Sequence, residues 1–523
     1  MRAKRGVLVL AAGAIALAMA LVGVQSGRAQ GAANLDNATC FACHGAPGIE
    51  MPLAGGQTRS LFVPADQFAD SIHGSLPCIA CHTTITEAPH QNAPATLADW
   101  DRARLAVNKN CGNCHAQAFR SYTETYHGQV AALGYADIAT CSDCHGSHTI
   151  RYVGDPASGL SRAGLLKTCQ KCHQDATPGF ATFQAHAATD DFAHYPYEWI
   201  ASKFVNLAVG GVLVVFWIHS ALWFYREFRD RQQGKPRPHV RVEAPPQDQG
   251  RYYERWSPLW RWAHLLFAVS IILLVMTGVT LLYPNASWAP ALERALGGPT
   301  IAGLIHRVSA VIMVVVFAAH ILYAAVHIAR NWKTFKVFGP YSLMPNWRDA
   351  ADIAAMLKWF FGKRPRPTFD HWNYQQKVDY WAPFWGIAML AATGAMLWFT
   401  TLTAAYLPGW AFNVAEVAHG DEALLAAAYL FTVHYFVNHW RPDKFPLDVV
   451  IFTGSMPLEE FKREYGVEYE RLVETGQLQQ HLVDAPSRPL TLGSKILGFS
   501  LVAVGLALLV MMAIGFAGSL TAG

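Results

Sequence analysis

Charged side chains are scarce in this chain. Asp, Glu, Lys and Arg make up 15% of its 523 residues and hydrophobic types 52%, whereas a soluble protein carries about 25% charged residues. A deficit of that size calls for membrane spans. Excess charge of one sign is lacking too. The net value of +4 is mild and gives no reason to expect a nucleic-acid partner. No Gly-rich phosphate loop and no nucleophile triad is evident in the sequence, so phosphoryl transfer and triad hydrolysis have no residues to rest on.

Cysteine is missing everywhere except in one repeated pattern. All ten cysteines fall in Cys-x-x-Cys-His, which occurs five times: Cys40/Cys43/His44, Cys78/Cys81/His82, Cys111/Cys114/His115, Cys141/Cys144/His145 and Cys169/Cys172/His173. This is the attachment signal of c-type haem. Two thiols bind the haem vinyl groups and the adjacent imidazole reaches the iron, so the spacing lets three side chains meet one flat ring. Structural zinc would pair Cys-x-x-Cys units without fixing a His after every second Cys. A thioredoxin-like pair would occur once, beside a βαβ pattern. A disulfide framework would not repeat one short spacing with the same following residue. Five covalent haems c are expected.

Met1 to Arg5 is basic, Val7 to Val24 is apolar, and small residues follow, with candidate cleavage points after Ala29 and Ala33. This reads as a secretory signal or, since about 18 apolar residues can span a bilayer, as a retained anchor. Either way residues 34–200 leave the cytoplasm, which suits bacterial c-haem attachment. That segment has little that reads as a large apolar core. Short helices and loops around a row of haems are expected, an arrangement suited to electron transfer.

A low-spin haem needs a sixth ligand, usually a second His. The segment offers His73, His90, His127, His148, His186 and His194 beyond the motifs. The first five are the expected distal ligands, and His194 stands level between ligand and surface residue. Ser71-Ile-His73-Gly74 ahead of Cys78 and Thr125-Tyr126-His127-Gly128 ahead of Cys141 form a degenerate repeat. Which His serves which iron stays open. On the five motifs, on His127-Gly128, on Cys141-Ser-Asp-Cys-His145-Gly-Ser-His148 and on Phe180 to His186, the segment resembles the multihaem c-type cytochromes of bacterial respiratory chains. The resemblance covers about a third of the chain. It implies bis-histidine haems that pass electrons, with little or no open coordination for a substrate.

Six apolar stretches follow, at roughly residues 203–225, 262–284, 303–329, 381–405, 419–438 and 496–518, each near the ~20 residues a spanning helix needs. The fifth is the shortest and depends on Ala423 to Val437. Lys and Arg crowd the segments after the first, third and fifth (Arg226 to Arg261, Arg330 to Arg366, Arg441 to Arg471) and nearly vanish from the loops between the second and third and between the fourth and fifth. The positive-inside rule then puts the basic loops in the cytoplasm and residues 34–200 outside. The stretch 458–474 mixes charged and apolar positions and is expected as a cytoplasmic helix lying on the membrane. His239, His371 and His481, in polar loops, receive no role.

Histidines inside spans are costly and usually functional. His264 opens the second. His306 and His320 share the third, 14 residues apart, about 21 Å along a helix and nearly on one face. His419 and His434 show nearly the same spacing. Two such helices can hold two b-type haems stacked across a bilayer. This half resembles the membrane cytochrome b subunits of formate dehydrogenase and thiosulfate reductase type. Arg261-Trp-Ala-His264, Thr277-Gly278, Leu304-Ile-His306-Arg307, Tyr374-Gln-Gln-Lys377, Thr393-Gly394, His419 and His434 carry the likeness, over roughly residues 255–445. It implies one haem b between His306 and His419 on the outer side and a second between His264 and His434 towards the cytoplasm. His320 is an alternative to His264, and with His219, His327 and His439 it leaves a third haem b open. The resemblance further implies quinone exchange beside the inner haem, where Asn438, His439 and Asp443 are candidate polar partners.

The expected fold is all-α, a loop-rich multihaem c-type domain followed by a transmembrane helical bundle of about six spans. The expected order is a signal or anchor (1–33), a periplasmic pentahaem domain (34–200), a first span (201–226), a basic linker (227–260), a diheme cytochrome b domain (261–440), a cytoplasmic segment (441–493) and a last span (494–523). The expected function is oxidation of quinol at the bacterial inner membrane and transfer of electrons through five haems c to a periplasmic cytochrome or reductase. The quinone pool and the lipid bilayer are the other expected partners. Two alternatives stay open: a terminal reductase of a small oxyanion, and the same conduit run in reverse to reduce quinone.

Overall fold

The computed structural model describes residues 35–52, 58–90, 97–235, 248 and 250–522. The expected signal or anchor and residues 236–247 of the basic linker, His239 among them, lie outside the described residues. The described chain is mostly helical, with a few strands of two or three residues. It divides into two compact units, Met1–Asn110 with His148–Ile150, and Cys111–Ser147 with Arg151–Gly523. The second unit thus joins the later haem motifs to the bundle.

The first unit is held by short-range polar contacts. Asp36 caps the Asn37–His44 helix, accepting from the Thr39 backbone N–H at 2.8 Å. The Asn37 side chain ties this helix to the next motif, donating to the Leu76 carbonyl at 3.0 Å and accepting from the Cys78 backbone N–H at 2.8 Å. Glu50–Pro52 and Thr58–Ser60 pair antiparallel. Among the described residues of this unit Met51 is the one buried apolar side chain, so protein alone supplies little core here.

Six long helices build the second unit: α1 (Pro196–Gln232), α2 (Pro258–Leu282), α3 (Gly298–Arg330), α4 (Tyr374–Trp398), α5 (Trp410–Tyr429) and α6 (Arg488–Ala522). Proline in the first turn starts α1, α2 and α3, where its missing N–H costs nothing. Asn373 caps α4 in a capping box with Gln376. By length and composition α1, α2, α3, α4 and α6 can each cross a membrane. Helix α5 is more polar, carrying Glu416, Asp421 and Glu422. It packs between α1 and α4 and buries Ala415, Ala427 and Ala428, so its neighbours shield it from lipid. It continues through two π-helical turns, Leu430–His434 and Phe436–Trp440; the fifth apolar stretch of the sequence is this composite helix.

Two apolar clusters bind the bundle. One joins Leu213 of α1 to Leu425, Tyr429, Val433 and Val437. The other joins Val279 and Tyr283 of α2 to Ala427, Phe431, and Leu508 and Met512 of α6. A third cluster lies at the basic-loop end, where the loops fold into a cap. Tyr252–Glu254 pairs antiparallel with Ser455–Pro457 on one side and Leu482–Val483 on the other. Trp223, Trp359, Phe369, Phe461, Tyr469 and Leu472 fill the cap. The 458–474 stretch therefore forms two helices, Leu458–Glu464 and Gly466–Glu474, whose apolar side faces this protein core, where a membrane-lying helix was expected. The basic residues are paired here. Arg366 bonds Glu227 and Asp443, each at 3.0 Å, Arg441 bonds Glu464 at 2.8 Å, and Lys444 bonds Asp448, Glu460 and Glu464. His371, without a role in the sequence, bonds Glu468 at 2.6 Å beside Arg255.

At the other end of the bundle, the segment that follows the fifth motif lies on the start of α5. Asn413 donates to the Gln184 carbonyl at 2.9 Å and accepts from the Gln184 N–H at 3.3 Å. The Gly409 N–H donates to Thr182 Oγ1 at 2.7 Å. Backbone meets backbone along this seam. A Cβ on Gly409 would fall 2.1 Å from the Phe183 nitrogen, and one on Gly179 would fall 2.4 Å from the Ala404 oxygen.

Candidate metal centres

Each Cys-x-x-Cys-His motif sits on a helical turn. Two lie within the Asn37–His44 and Cys141–His145 helices. In the other three the motif His N–H donates to the first Cys carbonyl: His82 to Cys78 at 3.0 Å, His115 to Cys111 and His173 to Cys169, both at 2.9 Å. Positions three and four apart share a helix face, so both thiols and the imidazole point one way. Cys40 and Cys78 share a side-chain hydrogen bond, as do Cys111 and Cys141, so the first motif adjoins the second and the third adjoins the fourth.

The two thiols of a motif stand level in the sequence as cofactor ligands; in the fold their exposure is unequal. Cys40, Cys78, Cys111, Cys141 and Cys169 are half-buried, whereas Cys43, Cys81, Cys114, Cys144 and Cys172 are exposed. The protein therefore encloses the first sulfur of each motif in part and leaves the second open. The reason is local. The second Cys comes three residues on, at the far end of a short turn that lies at the surface, and little apolar core is at hand to cover it. The assignment of Cys43, Cys81 and Cys114 as haem-binding thiols rests on the motif. The same uneven presentation recurs in all five motifs.

Six histidine pairs face one another. Ring centroids are 6.0 Å apart for His44/His90, 6.1 Å for His82/His148 and His127/His173, 6.2 Å for His145/His186 and His306/His419, and 6.4 Å for His264/His434. A metal–imidazole bond of about 2.0–2.1 Å on each side, plus roughly 1.2 Å from each nitrogen to its ring centre, puts two trans imidazoles roughly 6.4 Å apart. The narrow observed range fits one iron per pair. Among the described residues no group of three or more His, Cys, Asp or Glu could hold a metal ion alone. Each pair offers two ligands, and a macrocycle would have to bring the other four, so the donor set fits haem.

The ring nitrogens are oriented to match. His44 Nδ1 lies 3.1 Å from the Leu61 carbonyl, and His186 Nδ1 lies 3.1 Å from the Ala118 carbonyl. His306 Nδ1 lies 2.8 Å from Thr277 Oγ1, and His419 Nδ1 lies 3.0 Å from Thr393 Oγ1. Both hydroxyls give their protons to backbone carbonyls one turn back, Leu273 at 2.8 Å and Met389 at 2.7 Å. They therefore accept from the imidazoles and leave Nε2 for a metal. Burial holds His82, His127, His145, His148 and His186 below the ordinary imidazole value, and the opposing ring adds to this at His127, His145 and His148. A neutral ring is the ligating form.

Of the other sequence candidates, His73 belongs to the first unit and His115 to the second. His194 bonds Asp191 at 2.7 Å on the surface. His320 turns to the Tyr380 hydroxyl at 3.0 Å and the edge of Trp260, so the ring opposite His434 is that of His264. His219 lies 2.6 Å from the Tyr374 hydroxyl and 3.0 Å from Gln375. His327 is beside Asn331 at the end of α3. His439 is buried, with Nδ1 3.1 Å from the Asp448 carbonyl, and Asp443 is held by Arg366 and Arg441. Asn438 bonds Asp379 at 2.8 Å and lies 3.1 Å from His434 Nδ1. Sequence reasoning passed over Asp379, which lies two residues ahead of the apolar stretch 381–405 and which the fold places in the second turn of α4. A carboxylate on a spanning helix is a functional signal.

The family described as prokaryotic cytochrome b561 matches residues 179–340, less than a third of the chain. The matched stretch holds α1 to α3, with His264, His306 and His320 but neither His419 nor His434. No curated protein and no solved structure matches this chain. The match supports a membrane cytochrome b part. Together with the spans it indicates a multi-pass membrane protein and membrane-bound electron transfer involving b-type haem.

Proposed function

We propose that this chain oxidises quinol in the membrane and conducts the electrons outward through two haems b and five haems c to a periplasmic acceptor. The observation that carries the reading is the continuity between the bundle and the c-type segment. His173 lies 5.0 Å from the ring of Phe180, and Phe180 lies 6.2 Å from Phe412 on α5, two turns before His419. A second contact runs beside it: Glu416, one turn before His419, accepts a hydrogen bond from the backbone of Tyr126, next to His127. The His306/His419 pair thus adjoins the His127/His173 pair through two short protein bridges. His306 with His419 and His127 with His173 would each hold a haem, which would supply one-electron transfer.

The protein's own part is to hold the rings, exclude water and set the order of the sites. His264/His434 stands at the basic-loop end and His306/His419 at the seam. With basic loops in the cytoplasm, quinol would give up its electrons near His434, and the c-type segment would lie in the periplasm. His44, His82, His145 and His173 each face a second imidazole, which favours transfer over reduction of a bound oxyanion. The test is haem content of the detergent-purified chain, by alkaline pyridine spectra before and after acid–acetone extraction. Five covalent and two extractable haems per chain, all reducible by a quinol, are expected. Absence of extractable haem would reduce the bundle to an anchor and overturn the reading.

A further inference from the structure

The two histidine pairs of the bundle differ in what holds their outer nitrogens. His306 and His419 lean on hydroxyl oxygens, which are neutral. His434 leans on a carboxylate: its Nδ1 lies 3.3 Å from Asp379 Oδ2. That carboxylate also accepts from the Tyr429 hydroxyl at 2.8 Å and from Asn438 Nδ2 at 2.8 Å. In the partner ring, His264, Nδ1 is buried and unbonded. A carboxylate on the outer N–H makes an imidazole a more basic ligand, and outer hydrogen bonds tune the metal behind it. Asp379 is held by hydrogen-bond donors and meets no Lys or Arg of this network among the described residues, so its charge falls on His434.

Resting on the reading of two haems b, we propose that Asp379 is a positioning residue that makes the His264/His434 centre the lower-potential of the two. Electrons then fall from that centre toward His306/His419 and the c-type segment, so the direction of flow is built into the bundle. Tyr429 and Asn438 share the carboxylate and moderate its pull on His434.

The experiment is a redox titration of the full detergent-purified chain, following the b bands separately and reading the low-spin electron paramagnetic resonance signals, for wild type, Asp379→Asn, Asp379→Glu and Tyr429→Phe. Asp379→Asn should raise the lower b midpoint alone and move that centre's resonance, with two extractable haems retained. Asp379→Glu should restore both toward wild type. Tyr429→Phe removes a competing donor and should lower the same midpoint, the opposite sign. Unmoved midpoints in Asp379→Asn and Tyr429→Phe with full haem content would overturn the proposal, as would a shift confined to the higher centre. Should Asp379→Asn lose haem, Tyr429→Phe decides by its sign. Wild-type protein without two extractable haems would instead sink the underlying haem reading.

Discussion

Thr393 Oγ1 stands 3.0 Å from His419 Nδ1, and Thr277 Oγ1 stands 2.8 Å from His306 Nδ1; the two threonines clamp the two rings of one pair from separate helices. Valine has the same outline without the acceptor. Thr393→Val or Thr277→Val should weaken haem retention at that centre by about 10–100-fold, the usual cost of losing an outer partner of a metal ligand. Transfer of extractable haem to an apo-globin scavenger measures it. One of the two haems should leave faster while the five covalent ones stay.

The inner pairing separates two histidines that the sequence left level. His264 faces His434 across 6.4 Å, whereas His320 bonds Tyr380. His264→Ala should remove one extractable haem. His320→Phe should remove none, as judged by pyridine spectra after extraction.

The aromatic bridge at the seam predicts a kinetic defect without loss of cofactor. Phe412 is buried and touches Phe180. Phe412→Leu nearly conserves volume and should cost under ~1.5 kcal/mol of stability. Flash or stopped-flow reduction should show severalfold slower electron passage from b to c bands with haem content unchanged.

The cap has an acid limit. Burial works against ionisation of Glu464, yet Arg441 and Lys444 overcome it and bring the carboxyl from 4.5 down to about 2. The stabilisation is therefore full above pH 4.5 and drains away as pH falls toward 2. Arg441→Gln would take one of two cations from Glu464 and from Asp443, leaving Lys444 and Arg366, at a cost below the about 3–5 kcal/mol of breaking a buried pair outright. Thermal melts across that window should show wild type losing stability on acidification. The variant should start lower at neutral pH and fall less steeply.

Local chemistry made much of this legible in the sequence. The helical class, the long apolar spans and the candidate histidines could be named because their signals are short-range: a fixed spacing, a run of apolar residues, a polar group where none is cheap. The pairing of those histidines depends on rotations about helix axes. His320 is 14 residues from His306 and should share its face, but that says nothing of which neighbour the face meets. His419 and His434 are 15 apart, about 60° off a common face in a regular α-helix, and the π turn at Leu430–His434 adds slack that no periodicity reveals. The unequal exposure of Cys40 and Cys43 was equally out of reach, because a motif fixes spacing along the chain and not what packs against it. The cap was hidden for another reason. Its aromatics come from α1 and from three inter-helix segments far apart in sequence, so no single stretch shows them together.

Gly409 and Gly179 bring main chain against main chain where the segment after the fifth motif rests on the bundle. A spacing set by two peptide backbones acts as a fixed gauge. Side chains elsewhere can be exchanged for larger or smaller ones and the gap between the neighbouring imidazole pairs would drift with them; here there is no side chain to exchange. On the proposed function, a tunnelling distance across the seam would thereby be protected from most substitutions, and the rate of transfer would become a property of the fold.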